Sequence, residues 1–324
     1  MKRQNQKVSA VVQQALKQVQ AAKLGVPTTS IKALSSGSLS IDESLLTNGF
    51  AEGRIHEISG PPTSGKTTIT LAAIACAQQC GKVAAYFDAD RTFDPNYAKS
   101  LGVDLESLIL IEPEFGEAAI DAICILLKSK AVDLMVVDSA AALCPKAELI
   151  YDMNTPLTGV ASRMMSTGLR RINALLKDST ATIIFTNQLR YKLSNFMDPQ
   201  LDSPCGLSLK FYCTTRVRLD EPKVLIRNQT VSGIITKFRV IKNKLARPFE
   251  EGCTQIVYGR GINHLYETIE TGRHKKKIEV KDGVYYFGEV KLDKGISKSM
   301  LYLKSNPEIY QNARQSIFPS RATP

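Results

Sequence analysis

The fold is predicted by one short stretch of the sequence, Gly60-Pro61-Pro62-Thr63-Ser64-Gly65-Lys66-Thr67. It follows a segment with strand character, residues 55–58, and precedes apolar residues at helical spacing. This is the strand–loop–helix context that the G-x-x-x-x-G-K-[ST] pattern requires. The glycines let backbone N–H groups and the helix N-terminus face phosphates, Lys66 neutralises the β- and γ-phosphate oxygens, and the Thr67 hydroxyl can bind magnesium. We therefore expect a nucleoside triphosphate and Mg²⁺ at this loop.

Four further β-rich runs alternate with helical patterns along the chain; they cover residues 83–87, 108–111, 134–137 and 182–185. Strands separated by helices predict an α/β fold, with a mostly parallel sheet that is covered by helices on both faces. In such a sheet, ligands bind outside the carboxyl ends of the strands. The candidates for the site are therefore the residues that follow the strands of this expected P-loop NTPase core.

A carboxylate that ends a buried strand is the expected magnesium partner of the phosphate loop. Asp138 ends the apolar run 134–137, which has the composition of a central strand, so it should emerge beside the loop. The alternative is that Asp138 only caps the next helix. Asp88 and Asp90 end the run 83–87. Either carboxylate could orient an attacking water, and spacing alone does not choose between them.

Three further polar residues are candidates for contact with an anion. Gln188 lies after the run 182–185 and before a long irregular stretch, so its amide could bind phosphate and reposition that stretch. The alternative is a polar residue that simply leaves a strand. Lys242 and Lys244 should point to one side of a strand by the period of two. They predict an anion between them or, alternatively, an ordinary solvated face.

The net charge of +11 is placed at the two ends of the chain. Residues 1–23 hold five basic and no acidic residues, residues 271–324 hold eleven basic and five acidic residues, and the middle is balanced. Positive ends suit a polyanion or an acidic neighbouring subunit. We divide the chain into an N-terminal segment (1–33), a core (34–270) and a small basic α+β domain (271–324). The amphipathic pattern of residues 7–22 favours either a partner surface or packing on the chain's own core.

A cytoplasmic location and no contact with a membrane are expected. No run of eighteen apolar residues exists, and the N-terminus leads into a polar amphipathic segment rather than an apolar signal core. The seven cysteines are odd in number and lack close metal-type pairs. This usage predicts reduced thiols in a reducing compartment.

Motifs in a fixed order extend over nearly the whole chain. They include Ser36-Gly37-Ser38-Leu39-Ser40-Ile41-Asp42, the stretch from Gly60 to Thr68, Asp94-Pro95-Asn96-Tyr97-Ala98, Val136-Val137-Asp138-Ser139, Ala141-Ala142-Leu143-Cys144-Pro145-Lys146-Ala147-Glu148, Arg163-Met164-Met165-Ser166, Asn187-Gln188, Leu209-Lys210-Phe211-Tyr212 and Lys242-Asn243-Lys244. With these residues the sequence closely resembles the bacterial RecA recombinases. The resemblance implies ATP- and Mg²⁺-dependent polymerisation of the chain with itself on single-stranded DNA, and pairing and strand exchange with a homologous duplex. It also implies that the filament promotes self-cleavage of a repressor in the SOS response.

The resemblance also assigns roles to individual residues. The irregular stretches 147–159 and 189–209 look like the two DNA-binding loops of the family; the candidate DNA contacts are Arg163, Arg170, Arg190, Lys192, Leu193 and Phe196. Basic residues beside an aromatic ring in the second stretch suit a single-strand groove. The ATP-binding candidates are Gly60, Pro61, Pro62, Thr63, Ser64, Gly65, Lys66, Thr67, Thr68 and Tyr97, the last of which resembles a residue that stacks on adenine.

Four residues look like the machinery of hydrolysis. Asp90 and Gln188 resemble the groups that activate water and sense the γ-phosphate, and Lys242 and Lys244 resemble the pair that reaches the nucleotide of the neighbouring subunit. Phe211 resembles an interface residue that relays the nucleotide state. The N-terminal segment would then serve oligomerisation and the C-terminal domain would bind DNA.

Several positions depart from the family pattern. Asp90 stands where the family has glutamate, so its carboxylate is set back by about 1.5 Å. Because a misplacement near 1 Å costs about 10²-fold in rate, we expect slow hydrolysis with retained ATP binding. Thr158, Cys205 and Leu207 replace a methionine, a glycine and an asparagine near the loops. The chain also lacks an acidic C-terminal tail, which predicts stronger attraction of duplex DNA.

Two other functional classes stay open at this stage. One is a divergent, weakly hydrolysing paralogue that coats DNA as a regulatory or structural filament. The other is a hexameric, helicase-like motor of the same ATPase superfamily, which would form closed rings instead of open helical filaments.

Overall fold

The computed structural model describes residues 31–152, 157–192, 200–202, 207–227 and 229–319. The helix predicted for residues 7–22 lies outside this range. These ranges contain seventeen strands: β1 (Ala33–Leu34), β2 (Phe50–Ala51), β3 (Ile55–Gly60), β4 (Ala84–Asp88), β5 (Ile109–Ile111), β6 (Leu134–Asp138), β7 (Thr182–Gln188), β8 (Arg190–Lys192), β9 (Gln200–Asp202), β10 (Thr215–Leu219), β11 (Lys223–Arg227), β12 (Thr230–Asn243), β13 (Glu251–Val257), β14 (Gly261–Ile262), β15 (Ile278–Lys281), β16 (Val284–Phe287) and β17 (Val290–Lys294).

Ten α-helices lie in the described part of the chain: α1 (Leu39–Leu45), α2 (Lys66–Gln79), α3 (Pro95–Ser100), α4 (Gly116–Ser129), α5 (Lys146–Ile150), α6 (Val160–Leu175), α7 (Leu207–Tyr212), α8 (His264–His274), α9 (Ile296–Ser305) and α10 (Pro307–Ile317). Short 3₁₀ helices cover Ala140–Ala142 and Leu176–Asp178. Within the described residues, no helix is both long enough and apolar enough to cross a membrane.

The centre of the molecule is a ten-stranded sheet with the order β14-β13-β12-β10-β3-β7-β6-β4-β5, and β11 pairs with β12. The six strands from β10 to β5 are parallel to one another. This confirms the mostly parallel sheet predicted from the alternation of strands and helices. Beyond β10 the sheet continues antiparallel, because the chain returns through hairpins there instead of crossing over in helices.

The sheet is buried on both faces, as its apolar strands require. In β6, Met135 and Val137 pack into the cluster that includes α4 and α6, whereas Leu134 and Val136 pack into the cluster that includes α2. Successive side chains of a strand point to opposite faces, so one continuous apolar run supplies two cores. The central strands are therefore held from both sides, and their carboxyl ends are fixed in position.

The C-terminal part of the described chain has a core of its own. The strands β15, β16 and β17 form an antiparallel sheet, and α8, α9 and α10 pack with it around residues such as Ile269, Leu303 and Ile317. This confirms a small α+β domain at the C-terminal end; the domain boundaries themselves stay predictions. The buried Glu267 of α8 accepts a hydrogen bond from Leu39 N at 2.9 Å, and burial raises the pKa of Glu267 to about 7.

Four parallel strands bring their carboxyl ends to one edge of the sheet. In the registers of the ladders, Gly60 of β3 pairs with Gln188 of β7, and Asp88 of β4 pairs with Asp138 of β6. The polar residues predicted to follow these strands therefore lie along one edge of the sheet. This edge is where the phosphate loop begins.

Close packing of α6 on α4 gives the first testable prediction. A Cβ atom on Gly168 would lie 2.4 Å from Ile120 Cδ1 and 3.0 Å from Ile120 Cγ1. Overpacking of this kind costs about 1–3 kcal/mol, whereas alanine gains about 1 kcal/mol over glycine in an open helix. We expect Gly168→Ala to lower the free energy of unfolding, measured by urea denaturation. The exposed Ser162→Ala in the same helix should change it by less than about 0.5 kcal/mol. A Gly168→Ala protein more stable than the wild type would contradict the close contact.

Candidate nucleotide site and DNA interface

The phosphate loop joins β3 to α2. Gly65 precedes the helix with φ +95°, no side chain caps the first turn, and a Cβ on Gly65 would lie 2.3 Å from Ile256 Cδ1. The left-handed backbone and the close neighbour both require glycine. Helix N-termini leave N–H groups without intrahelical partners, and these groups attract anions. The loop therefore presents donors to a phosphate.

The loop is shaped by its own polar contacts. Ser64 Oγ donates to Pro61 O at 2.8 Å, and Thr236 Oγ1 of β12 donates to Ser64 O at 3.0 Å. Pro62 and Thr63 are exposed at the tip of the loop. A strand of the sheet thus supports the loop on one side, and the tip of the loop is exposed to solvent.

Lys66 lies folded back into the phosphate loop. Its Nζ donates to Pro61 O at 2.7 Å and to Gly60 O at 3.1 Å. Burial lowers the pKa of Lys66, and the carboxylates of Asp138 and Asp90 oppose that change. The cation therefore lies among the loop carbonyls and two acidic side chains, where phosphate oxygens would meet it.

Thr67 and Asp138 contact each other as the sequence predicted. Thr67 Oγ1 donates to Asp138 Oδ2 at 2.7 Å. A hydroxyl and a carboxylate are the hard oxygen ligands that Mg²⁺ prefers, and Mg²⁺ usually takes only one or two carboxylates and completes its shell with water and phosphate. The described residues contain no group of three or more His, Cys, Asp or Glu side chains placed to hold a metal ion. The pair therefore fits Mg²⁺ that is delivered with a nucleotide.

The structure distinguishes Asp88 from Asp90. The buried Asp88 accepts hydrogen bonds from Thr92 N at 3.0 Å and Phe93 N at 2.9 Å, so its carboxylate holds the following turn. Asp90 is half-buried, and its own N–H donates to Asp138 O at 3.4 Å. Burial raises the pKa of Asp90, and the charges of Asp138 and Asp88 raise it further. Asp90 is thus the carboxylate with access to the site.

Gln188 lies at the junction of the phosphate loop and the second irregular stretch. It ends β7 opposite Gly60, and the next residue, Leu189, donates its N–H to Gly60 O at 3.2 Å. The strand β8 begins at Arg190. One backbone ladder therefore connects the start of the phosphate loop to the start of the second stretch.

Lys242 and Lys244 meet at the C-terminal end of α7. Both ammonium groups donate to Phe211 O, at 3.0 Å and 3.1 Å, and Lys242 Nζ also donates to Lys210 O. Burial lowers the pKa of Lys242, and the charge of Lys244 lowers it further. Phe211 itself is 67% exposed. The predicted one-sided placement of the lysines holds, and their partners in this chain are carbonyl oxygens.

Tyr97 lies next to the first turn of α2. Its hydroxyl is 2.7 Å from Thr68 Oγ1. The helix α3 is positioned by its N-cap Asp94, whose carboxylate accepts from Asn96 N and Tyr97 N, and by Pro95 in its first turn. The half-buried ring of Tyr97 is therefore brought to the nucleotide site by a short capped helix.

The candidate DNA contacts are only partly described. Arg163 and Arg170 are exposed on α6, and Arg170 Nη2 donates to Thr167 Oγ1 at 3.3 Å. The backbone of Arg190 and Lys192 lies in β8, which pairs with β9. Their side chains, and the candidates Leu193 and Phe196, lie outside the described residues, as does Cys205. Thr158 lies in the turn before α6, and Leu207 is exposed at the start of α7.

Sequence reasoning missed several buried polar residues around the site. Tyr86 and Thr186 both donate to Asp138, and Glu57 of β3 is paired with Arg216 and accepts from Asn187 Nδ2 at 3.0 Å. Glu57 and Arg216 face each other in neighbouring strands by register. The signals available in the sequence were Tyr86 within the run 83–87, Glu57 within the strand segment 55–58, and Thr186 directly after the run 182–185.

Comparison with known proteins gives matches over most of the chain. A family model described as the RecA N-terminal domain matches residues 6–263. Protein RecA of Mycoplasma mobile is 42% identical over 281 residues, which are 87% of this chain and 85% of that protein. Protein RecA of Thermotoga neapolitana is 40% identical over 292 residues, covering 89% and 83%. A crystal structure of the RadB recombinase matches with a TM-score of 0.53 at 26% identity, over 71% of this chain and 98% of that one.

The contact of the two lysines with α7 gives a second prediction. Cations at a helix C-terminus stabilise its free carbonyl groups by about 0.3–1 kcal/mol. We expect Lys242→Met to speed hydrogen–deuterium exchange of the α7 amides in the chain without nucleotide. Lys237→Met, on the exposed part of the same strand, should leave that exchange unchanged. Equal exchange in wild type and Lys242→Met would show that the lysine does not hold α7.

Proposed function

The chain belongs to the RecA family, and we propose that nucleotide held between adjacent subunits tightens its two loops on single-stranded DNA. It is a DNA-dependent ATPase and recombinase that forms filaments on DNA. The observation that carries the proposal is the junction at Gly60. There the phosphate loop begins, β7 ends at Gln188 in register, and Leu189 donates to the Gly60 carbonyl. A displacement of the phosphate loop on nucleotide binding would therefore be transmitted through this junction to the start of the second DNA loop.

The RecA family uses ATP and Mg²⁺, and the residues proposed to hold them are those of the phosphate loop. The N–H groups of the loop and of the first turn of α2 bind the phosphate oxygens. Lys66 exchanges its present partners, the carbonyls of Gly60 and Pro61, for phosphate oxygens of opposite charge. Thr67 and Asp138 would hold Mg²⁺, which would neutralise the phosphate charge, and Tyr97 would cover the base.

Asp90 is proposed as the group that orients the attacking water. Its raised pKa makes its carboxylate a better proton acceptor than an exposed aspartate. Gln188 ends β7 at the same edge of the sheet, and its amide is proposed to contact the γ-phosphate. Because the Asp90 carboxylate is one methylene shorter than that of glutamate, the water would be held less closely.

Lys242 and Lys244 are proposed to act on the nucleotide of the adjacent subunit. In this chain they bind the carbonyls at the end of α7, and α7 begins at Leu207, within the second predicted loop (189–209), whose last residues are therefore helical instead of irregular. A γ-phosphate would compete with these neutral carbonyls and bind the ammonium groups more strongly because it is charged. Filament contact would then release the end of α7, on which the exposed Phe211 faces the neighbour.

The DNA interface is proposed to combine α6 with the two loops. The exposed Arg163 and Arg170 would bind phosphates, and Arg190, Lys192, Leu193 and Phe196 of the second loop would bind and stack on unpaired bases. A homologous duplex would then pair with the bound strand. The basic C-terminal domain would contribute further attraction for duplex DNA, since backbone contacts dominate such affinity.

Two finer parts of the function are also proposals. The filament would promote self-cleavage of an SOS-type repressor, and the protein would act in the cytoplasm, where the chromosome of a bacterium lies. The short carboxylate of Asp90 favours one form of this function, in which the filament hydrolyses ATP slowly and mainly remains bound to DNA. Phosphate release stimulated by single strands would separate an active recombinase from that variant.

Two substitutions should separate nucleotide binding from hydrolysis. Lys66→Ala removes the cation that faces the phosphates, so we expect it to abolish ATP binding and filament growth on single-stranded DNA. Asp90→Asn removes only the proton acceptor, so filaments should still assemble while ATP turnover stops. Electron microscopy and phosphate release measure the two effects, and the exposed Lys128→Ala is the control. Equal loss of assembly in both variants would contradict the assigned roles.

Lengthening the carboxylate at position 90 tests whether its reach limits turnover. Asp90→Glu advances the carboxylate by about 1.5 Å, and we expect the steady-state rate of ATP hydrolysis on single-stranded DNA to rise by about tenfold or more. The KM for ATP should change little, because the phosphate loop is untouched. An unchanged or lower rate would show that another group limits hydrolysis.

A further inference from the structure

The carboxylate of Asp138 accepts hydrogen bonds from three hydroxyl groups. Thr67 Oγ1 donates to Oδ2 at 2.7 Å, Tyr86 Oη donates to the same oxygen at 2.8 Å, and Thr186 Oγ1 donates to Oδ1 at 2.5 Å. The donors come from three separate elements, α2, β4 and β7. Both oxygens of the carboxylate are therefore held, and one of them is held twice.

The two donors other than Thr67 come from the strands on either side of Asp138. In the sheet, β6 lies between β4 and β7. Tyr86 and Thr186 are both fully buried. The Tyr86 ring packs against Phe93, with ring centroids 5.1 Å apart. Their positions are therefore fixed by the sheet and the core, whereas Thr67 lies in the first turn of α2 at the phosphate loop.

We propose that Tyr86 and Thr186 are positioning residues of the magnesium site, whose hydroxyls keep the Asp138 carboxylate in one orientation when Thr67 turns from Asp138 to the metal. This inference rests on the proposed ATP- and Mg²⁺-binding function. When the Thr67 hydroxyl leaves, one donor remains on each oxygen of Asp138. The carboxylate then keeps the orientation in which it faces the phosphate loop.

The physical reason lies in the freedom of a carboxylate to rotate about its Cβ–Cγ bond. A carboxylate with one donor on each oxygen already has a fixed orientation, so it loses no further rotational entropy when it binds a metal or a metal-bound water. If either strand hydroxyl is missing, the carboxylate must be ordered when the metal binds. Loss of such outer partners costs 10–100-fold in metal affinity or activity at other metal sites, roughly the range expected here.

The competing explanation is that the two hydroxyls donate to Asp138 only because it is the nearest buried hydrogen-bond acceptor. In that case their removal would lower the stability of the fold but would not change the response to Mg²⁺. A buried donor left without a partner destabilises a protein whatever site it borders. Stability and magnesium response must therefore be measured separately on the same variants.

The test is a titration of Mg²⁺ into the full chain at a fixed concentration of a fluorescent ATP analogue. We expect the Mg²⁺ concentration for half-maximal binding to rise about tenfold in Tyr86→Phe and in Thr186→Val. Thr186→Ser keeps the hydroxyl and should restore the wild-type value. Thermal unfolding without Mg²⁺ or nucleotide reports the stability of each variant.

Two matched controls remove buried hydroxyls far from Asp138. Tyr266→Phe changes a buried tyrosine of α8, and Thr182→Val changes a buried threonine at the opposite end of β7 from Thr186. The Thr182 hydroxyl has no hydrogen-bond partner in the described part of the protein. Both controls should keep the wild-type Mg²⁺ midpoint.

The outcomes separate this inference from the function on which it rests. Unchanged Mg²⁺ midpoints in Tyr86→Phe and Thr186→Val, with normal Mg²⁺-dependent binding in the wild type, would overturn the positioning role alone. A shift in only one variant would overturn the paired role. If Tyr86→Phe does not fold, the contrast between Thr186→Val and Thr186→Ser decides. A wild type that binds the analogue equally with and without Mg²⁺ would overturn the proposed site as well.

Discussion

The convergence of four parallel strands at one edge of the sheet is the constraint on which the site depends. Because β3, β7, β6 and β4 are neighbours in register, the residues that end them lie side by side. Two packed faces hold these strands, so the edge is rigid. The phosphate loop, Asp138 and the start of the stretch 189–209 are therefore parts of one arrangement.

A buried polar connection runs through the sheet beneath this edge. Glu57 of β3 joins Arg216 of β10 on one side and accepts from Asn187 of β7 on the other, next to Gln188. Breaking a buried charge pair leaves an uncompensated charge, which is strongly destabilising. The strands that carry the phosphate loop, Gln188 and the segment after α7 are thereby held to one another. This arrangement favours concerted displacement over independent movement.

The sequence was sufficient for the parts of the molecule that rest on local patterns. The phosphate loop, the parallel strands and Asp138 could be predicted because chain order and apolar runs determine them. The choice between Asp88 and Asp90 could not, since it depends on the N–H groups of Thr92 and Phe93 in a turn that spacing does not reveal. Tyr86 lies in the run 83–87, which has the composition of a core strand, and Thr186 directly follows the run 182–185; only the pairing of strands brings them to Asp138. The four antiparallel strands β11 to β14 were not predicted, apart from the strand that carries Lys242, because the argument from periodicity addressed crossovers alone.

The central claim is that nucleotide between subunits and the DNA loops change state together. The most direct test is the affinity of the purified chain for a fluorescent single-stranded oligonucleotide, by anisotropy, with and without a slowly hydrolysed ATP analogue and Mg²⁺. The coupling predicts much tighter binding when the analogue is present. The same affinity under both conditions would contradict it.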